Sequence, residues 1–305
     1  MDRPTVRQLE SLVAVADHGN FHRAAASLSI SQPALSAQVV GAERVLGVQV
    51  FERDRRSVLV TPAGEEVVAK ARAALAAIDG VTDAARRRGE PLVGPLRLGV
   101  IPTVAPYWLP PLLPAVRAKF PKLELILRED QTNNLLAQLT AGRIDVAFLA
   151  LPVPGDVTSA VVAHEDFLVA MPRGAPIAKR KRIAESDLAD EQVLLLEDGH
   201  CLRDQALAVC ERGGAVESVE VRGTSLPTLV QMVAGGLGIT LLPEAAASTL
   251  VTRKGPVELM PFGKPTPGRT LGLVWRTSSA RLREFRLLAE TLAEAAAGFL
   301  AKLRG

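Results

Sequence analysis

Cysteine is scarce: Cys201 and Cys210 are the two in a chain of 305 residues. A disulfide-built fold is thereby excluded, and the pair is either inert core or reactive. Long apolar runs are missing as well. Pro, Gly or polar residues interrupt every stretch that approaches membrane-spanning length. Met1-Asp2-Arg3-Pro4 lacks the apolar core of a secretory signal, so the expectation is a cytoplasmic protein without a membrane partner. Nor is there an excess of charge. The 36 Lys+Arg and 33 Asp+Glu leave a net +3, and any case for nucleic acid must rest on where the arginines sit. There is no metal-ligating cluster. Gly235-Gly236-Leu237-Gly238 follows a helical pattern rather than a strand, which makes it a poor phosphate loop. No metal and no cofactor is expected. What remains is 48% hydrophobic and 23% charged residues, an ordinary globular composition with room for about two domains.

The first 60 residues have helical texture. Leu9, Leu12, Val13 and Ala16 make one apolar face, which Gly19 ends. Asn20 can cap a second helix that buries Phe21, Ala24, Ala25 and Leu28. Ser31 is the natural N-cap of a third, with Gln32 and Pro33 in its first turn, Leu35, Val39, Ala42 and Leu46 inside, and Gly47 as its stop. Two short apolar stretches, Val48–Phe51 and Val58–Val60, flank a basic tip and predict a small hairpin. Thr61-Pro62 then opens a long helix. Its seam of Val67, Val68, Ala71, Ala74, Leu75, Ile78, Val81 and Ala85 predicts packing against a partner helix, or against the chain's own second domain.

Gly89 to Pro95 has the composition of a hinge. Beyond it, strand-like runs alternate with amphipathic helices. The strands are Leu96–Ile101, Leu123–Arg128, Asp145–Leu149, Phe167–Met171, Val193–Leu196, Ser218–Val221, Ile239–Leu242 and Thr270–Trp275. This α/β texture predicts a largely parallel sheet with ligands at its strand C-terminal ends. The fold class is therefore α + α/β, with residues 1–61 a winged helix-turn-helix, 62–90 a linker helix and 91–305 an α/β domain.

Helix, tight turn, helix and basic hairpin form the layout of a DNA reader. The third helix would offer Ser31, Gln32, Pro33, Ser36 and Gln38 to the major groove. Arg53, Arg55 and Arg56 on the wing, with Arg7 and Arg23, would meet phosphates. Capping serines and a solvated hairpin are the plainer reading of any one of these features. The combination is more specific. Leu9-Glu10-Ser11-Leu12-Val13-Ala14-Val15-Ala16, Asn20-Phe21-His22-Arg23-Ala24-Ala25, Ser31-Gln32-Pro33-Ala34-Leu35-Ser36, Glu43-Arg44-Val45-Leu46-Gly47 and Leu59-Val60-Thr61-Pro62-Ala63-Gly64 closely resemble the DNA-binding domain of LysR-type transcriptional regulators. The resemblance implies a dimeric linker helix, commonly a homotetramer, and two regulatory subdomains like those of periplasmic binding proteins. Subdomain I would span about 96–162 and 268–303, and subdomain II about 163–267. Promoter DNA is the implied partner, with RNA polymerase a further candidate.

Around the cysteines the sequence runs Glu197-Asp198-Gly199-His200-Cys201-Leu202-Arg203-Asp204-Gln205, with Cys210 nine residues after the first thiol. Asp198 or Gly199 can cap a helix that begins near His200. Cys201 then lies in the first turn, where the helix dipole favours a thiolate and His200 and Arg203 could reinforce it. Cys210 falls on the apolar stripe of Leu202, Ala206 and Val209. Nine residues of helix separate the thiols by about 13–14 Å, whereas a disulfide needs Cα atoms within about 7 Å. If they bond, the helix must unwind. Two inert core cysteines are the alternative.

That segment is similar to the peroxide sensors of the OxyR type within the same family. So are Ile101-Pro102-Thr103-Val104-Ala105-Pro106-Tyr107, Gln131-Thr132, Thr224-Ser225-Leu226 and Met232–Pro243. The resemblance implies that Cys201 attacks hydrogen peroxide to give a sulfenic acid and that Cys210 resolves it to a disulfide. It also implies that Thr103 and Thr132 orient the peroxide, while His200 and Arg269 supply hydrogen bonds or positive charge. Asp204 would pair with Arg203 or tune the site. Activation of antioxidant genes is the implied output. Two other classes compete. One is a regulator holding a small organic anion in the cleft, with bystander cysteines. The other is a thiol peroxidase enzyme, which the motifs favour least.

Overall fold

The computed structural model describes residues 3–53, 58–86, 90–189, 191–214 and 216–305. They form two compact units, Met1–Glu90 with Thr140–Arg143, and Pro91–Leu139 with Ile144–Gly305. No helix among the described residues is long and apolar enough to cross a membrane.

The first unit begins with α1 (Val6–His18). Its capping box, in which Thr5 and Gln8 each accept the other's backbone N–H, was not anticipated, although Thr-x-x-Gln is its signature. Gly19 ends the helix and returns its N–H to the Val15 carbonyl. Asn20 Oδ1 accepts from His22 and Arg23 N–H and so opens α2 (Phe21–Ser27). Ser31 accepts from Ala34 N–H at the head of α3 (Gln32–Leu46), and Gly47 closes it. Leu12, Val15, Ala24, Leu35, Val39 and Ala42 are buried together. Strands β1 (Phe51–Arg53) and β2 (Val58–Val60) pair antiparallel, and Val50 and Phe51 join that core. The expected hairpin is present, while its tip lies outside the described residues.

Thr61 starts α4 (Pro62–Arg86) by accepting the Gly64 N–H at 2.9 Å. Gly64 has no space for a side chain, because a Cβ would strike the Val50 carbonyl. Val68 and Ala71 are buried, and Arg72 grips Asp17 of α1 through two bonds of 2.9 and 2.7 Å. The near part of the α4 seam is thus consumed within this unit. Further along, Ile78 and Val81 are exposed, Val81 by 71%.

The second unit opens with β3 (Gly94–Val100), α5 (Ala105–Lys119), β4 (Leu123–Glu129), α6 (Thr132–Thr140) and β5 (Val146–Leu151). The chain then crosses on β6 (Val157–Pro172) and passes two 3-10 turns, Pro176–Lys179 and Glu185–Leu188. Next come β7 (Gln192–Leu196), α7 (Cys201–Gly213), β8 (Val216–Gly223), α8 (Leu226–Ala234), β9 (Thr240–Pro243), α9 (Glu244–Leu250) and β10 (Val257–Pro261). It returns on β11 (Gly268–Arg276) and ends in α10 (Leu282–Arg304). The main sheet runs β10-β6-β11-β5-β3-β4, with β9 also on β6. Trp108, Phe148, Phe167, Trp275 and Phe285 lie in its core.

The expectation of a largely parallel sheet is corrected here. β4-β3-β5 and β7-β8 are parallel, but β6, β9, β10 and β11 all pair antiparallel. The cause is the crossing. β6 leaves one half of the sheet and β11 returns beside it, so the two must run in opposite directions. Through Asp166, β6 pairs with β11; from Phe167 onward its partners are β9 and β10. One strand thereby joins the two halves of the sheet.

Candidate functional site

The parallel strands β3 and β4 end together at Val100 and Glu129, and β5, whose Phe148 is in register with Val100, runs on to Leu151 at the same edge. Their following loops therefore crowd one edge, where α/β sheets place ligands. Thr103 follows β3, Thr132 begins α6, and Leu151–Pro154 leave β5. Opposite them stands the start of α7. A cleft of about 370 Å³ lies between, bounded by Thr132, Asn133 and Ala150–Pro154 on one wall and by Gly199, Cys201, Asp204 and Gln205 on the other.

Cys201 is the first residue of α7, a half-buried free thiol. Gln205 sits one turn on and shares its face. Gln205 Oε1 and Thr132 Oγ1 are both buried and have no hydrogen-bond partner among the described residues. Such atoms are rare in folded proteins and call for a small polar guest. Upstream, Asp130 anchors the Thr132 end of α6. It accepts from Gln131 N–H, Asn134 and Gln138 at 2.8–2.9 Å. Burial works to raise the Asp130 pKa, but these donors outweigh it and hold the carboxyl below its ordinary range.

The expected cap of α7 is corrected. His200 occupies the N-cap position without a side-chain bond. Asp198 is engaged elsewhere, by Arg203 Nε at 2.8 Å and Arg222 Nη1 at 3.2 Å. Arg203 is buried and also donates to the Leu196 carbonyl. Its charge is thus committed to Asp198 and the loop, rather than to Asp204. Gly199 has φ +93°, a backbone conformation that favours glycine, and a side chain there would also displace the Gln131 amide, whose Oε1 lies 2.5 Å from the Cβ position. Burial lowers the His200 pKa, with Glu197 opposing. The neutral ring is therefore favoured at neutral pH, which suits hydrogen bonding better than a fixed positive charge.

Thr103 and Arg269 form a second, buried cluster beside the cleft, at the same strand-end edge as Thr132. Arg269 donates from Nη1 to Thr103 Oγ1 and from Nη2 to the Thr103 carbonyl, both at 3.0 Å. Next to Arg269, Thr270 is in register with Leu151 of the cleft wall. Cys210 lies on the inner face of α7 at 1% exposure. Thirteen intact helical residues hold both thiols, about 13–14 Å apart along the axis. The structure thus brings Cys201 and Thr132 to one cleft and Thr103 to Arg269 beside it, and keeps Cys210 away. Gln205 and Asn133 were missed as cleft residues. The spacing of Gln205 four residues after Cys201 was the available signal.

In the first unit, Ser31, Gln32 and Pro33 are exposed at the head of α3, with Ser36 and Gln38 half-buried. Arg7 and Arg23 are exposed on α1 and α2. Of the wing arginines, Arg55 and Arg56 lie outside the described residues, as does the Arg53 side chain.

A helix-turn-helix unit joined to an α/β unit with a polar, thiol-bearing cleft defines a DNA-binding regulator that carries its own sensor. Residues 6–65 match the model of "Bacterial regulatory helix-turn-helix protein, lysR family", and residues 89–297 match "LysR substrate binding domain". The chain belongs to the LysR family of bacterial transcription regulators. It is 45% identical to the hydrogen peroxide-inducible genes activator of Pectobacterium carotovorum, over 98% of this chain and 99% of that one. Full-length OxyR of Pseudomonas aeruginosa, with a cysteine replaced by aspartate, superposes with a TM-score of 0.80 at 36% identity, covering 95% and 98% of the two chains. A cysteine-to-serine OxyR of Corynebacterium glutamicum, hydrogen peroxide bound, gives 0.69 at 41% identity over 99% and 96%.

Proposed function

We infer that this chain is a hydrogen-peroxide-sensing transcription regulator switched at Cys201. The carrying observation is the placement of its thiols: Cys201 is at a helix start in a polar cleft, and Cys210 is buried on the same unbroken helix. Relatives of nearly full length are peroxide-inducible activators, and one is solved with peroxide bound.

In this reading the Cys201 sulfur bonds one peroxide oxygen as the O–O bond breaks. The other oxygen leaves as hydroxide and is protonated to water. Thr132 and Gln205 hold the peroxide, and Thr103, Arg269 and neutral His200 serve the departing oxygen. Cys210 then attacks the sulfenic sulfur, releasing a second water and closing the disulfide. Since the intact α7 forbids that bond, closure refolds the segment.

The output is promoter DNA held by α3 and the wing, with antioxidant genes activated in concert with RNA polymerase in the cytoplasm. The functional divisions are 1–61, 62–90 and 91–305, with two subdomains in the last. The exposed end of the α4 seam is met by a second copy. A groove of about 400 Å³, lined by Pro4, Leu9, Leu46, Val67 and Ala71 among others, extends that apolar face and supports a homodimer, and through it a homotetramer. The test is a DNA footprint of the full chain before and after peroxide. The wild type changes its footprint and Cys201→Ser does not. A Cys201→Ser chain that still responds, or a wild type that responds only to an organic acid, overturns the reading.

A further inference from the structure

We propose that Glu165 is a positioning residue for the peroxide reaction, acting through Arg269 to fix Thr103 as a hydrogen-bond donor. The proposal rests on the sensing reading above and adds to it a residue that no sequence motif marked.

Glu165 lies where β6 changes partners, just before the strand leaves β11 for β9 and β10. Its side chain and that of Arg269 have no solvent exposure. A buried carboxylate is costly unless its lone pairs are used. Here three donors use them. Trp108 Nε1 and Ala245 N–H reach Oε1 at 3.2 and 2.8 Å, and Arg269 Nε reaches Oε2 at 2.9 Å. Trp108 is on α5, Ala245 on α9 and Arg269 on β11. The carboxylate is held from three separate elements, so its position is rigid.

The consequence runs outward. Arg269 is the cross-strand register partner of Glu165. With Nε on Glu165, the outer edge of the guanidinium meets the Thr103 hydroxyl and carbonyl. A guanidinium only donates, so Thr103 Oγ1 is the acceptor of that bond. Its own hydrogen is directed elsewhere. That leaves a hydroxyl donor at the end of β3, beside the strand that leads to Thr132. Cys201 sulfur gains an oxygen, the O–O bond breaks and hydroxide departs; a preset donor shares the charge that develops on it. Without the carboxylate, the fork can turn about its terminal torsions and the donor is no longer set.

The experiment compares two reactions of Cys201 in the full chain. One is the second-order rate with hydrogen peroxide. The other is alkylation by iodoacetamide across the thiol titration. For Glu165→Gln the peroxide rate falls by up to about 100-fold, the scale of one lost oxyanion donor, while the alkylation profile superposes on wild type. Glu165→Asp recovers part of the rate. In a T103V background, E165Q costs no further rate, because its effect passes through that hydroxyl. A peroxide rate equal to wild type overturns the proposal. So does a parallel loss of alkylation, or full additivity with T103V. Should E165Q fail to fold in a melting experiment, E165D alone and in the T103V background carries the same comparison. A wild-type Cys201 that alkylates but ignores peroxide overturns the sensing reading itself, a separate result.

Discussion

Thr132 separates what the cleft does for stability from what it does for chemistry. Its hydroxyl oxygen is buried with no partner among the described residues, so folding gains nothing from it and bears its desolvation. Thr132→Val keeps the shape and removes the polar atom. The melting temperature should hold or rise, while the peroxide rate of Cys201 falls about 100-fold, the size of one lost transition-state hydrogen bond. A rate unchanged in T132V would remove Thr132 from the reaction. Single residues were legible in the sequence where the signal is local, as with Cys201 at a helix start and Thr132 after a strand end, which the fold brings to one cleft. Glu165 was illegible, because its partners Trp108, Ala245 and Arg269 are 57, 80 and 104 positions away. Only the tertiary fold makes them neighbours.

Among the elements, α7 is the one that must yield if Cys201 and Cys210 are to bond. Its two ends are fastened: Arg203–Asp198 at the first turn, and at the last a two-pronged bond from Arg212 to Glu185, both prongs 2.8 Å. Hydrogen bonding from Arg212 holds the Glu185 pKa below its ordinary value, with burial opposing. The folded pKa is lowered, so this clamp stabilises above the ordinary glutamate value of 4.5 and is lost as pH falls through the lower folded value. At neutral pH it is fully present. The pair is half-exposed, and such clamps contribute about 0.2–1 kcal/mol. Glu185→Gln should therefore speed disulfide closure from the sulfenic acid by up to about five-fold, measured by quenched-flow mass spectrometry. No change, or slower closure, would mean that α7 is not the barrier. Element boundaries in the first unit were legible because caps are local: Asn20, Ser31, Gly47 and Thr61 each act within a few residues. The antiparallel half of the sheet was not. The first half of β6 carries only a four-residue apolar run, Ala160–Ala163, before the polar His164, Glu165 and Asp166, and β10 is a five-residue strand that ends on Pro261. Both are strands because of what they pair with.

At the scale of the whole molecule, the proposed switch calls for a second copy meeting α4. Val68 and Ala71 are already buried within one chain, whereas Ile78 and Val81 are not. Val81→Asp should leave the monomer's fold intact and drive dimers apart in sedimentation. Affinity for a two-half-site DNA should fall with it, because dimeric readers gain both half-sites at once. Dimers that persist in V81D would place the interface elsewhere. The account's central claim concerns the thiols, and quantitative thiol labelling with peptide mass spectrometry, before and after one equivalent of hydrogen peroxide, tests it most directly. The account predicts rapid loss of both thiols and a Cys201–Cys210 linked peptide. Two thiols that stay free under that challenge would contradict it.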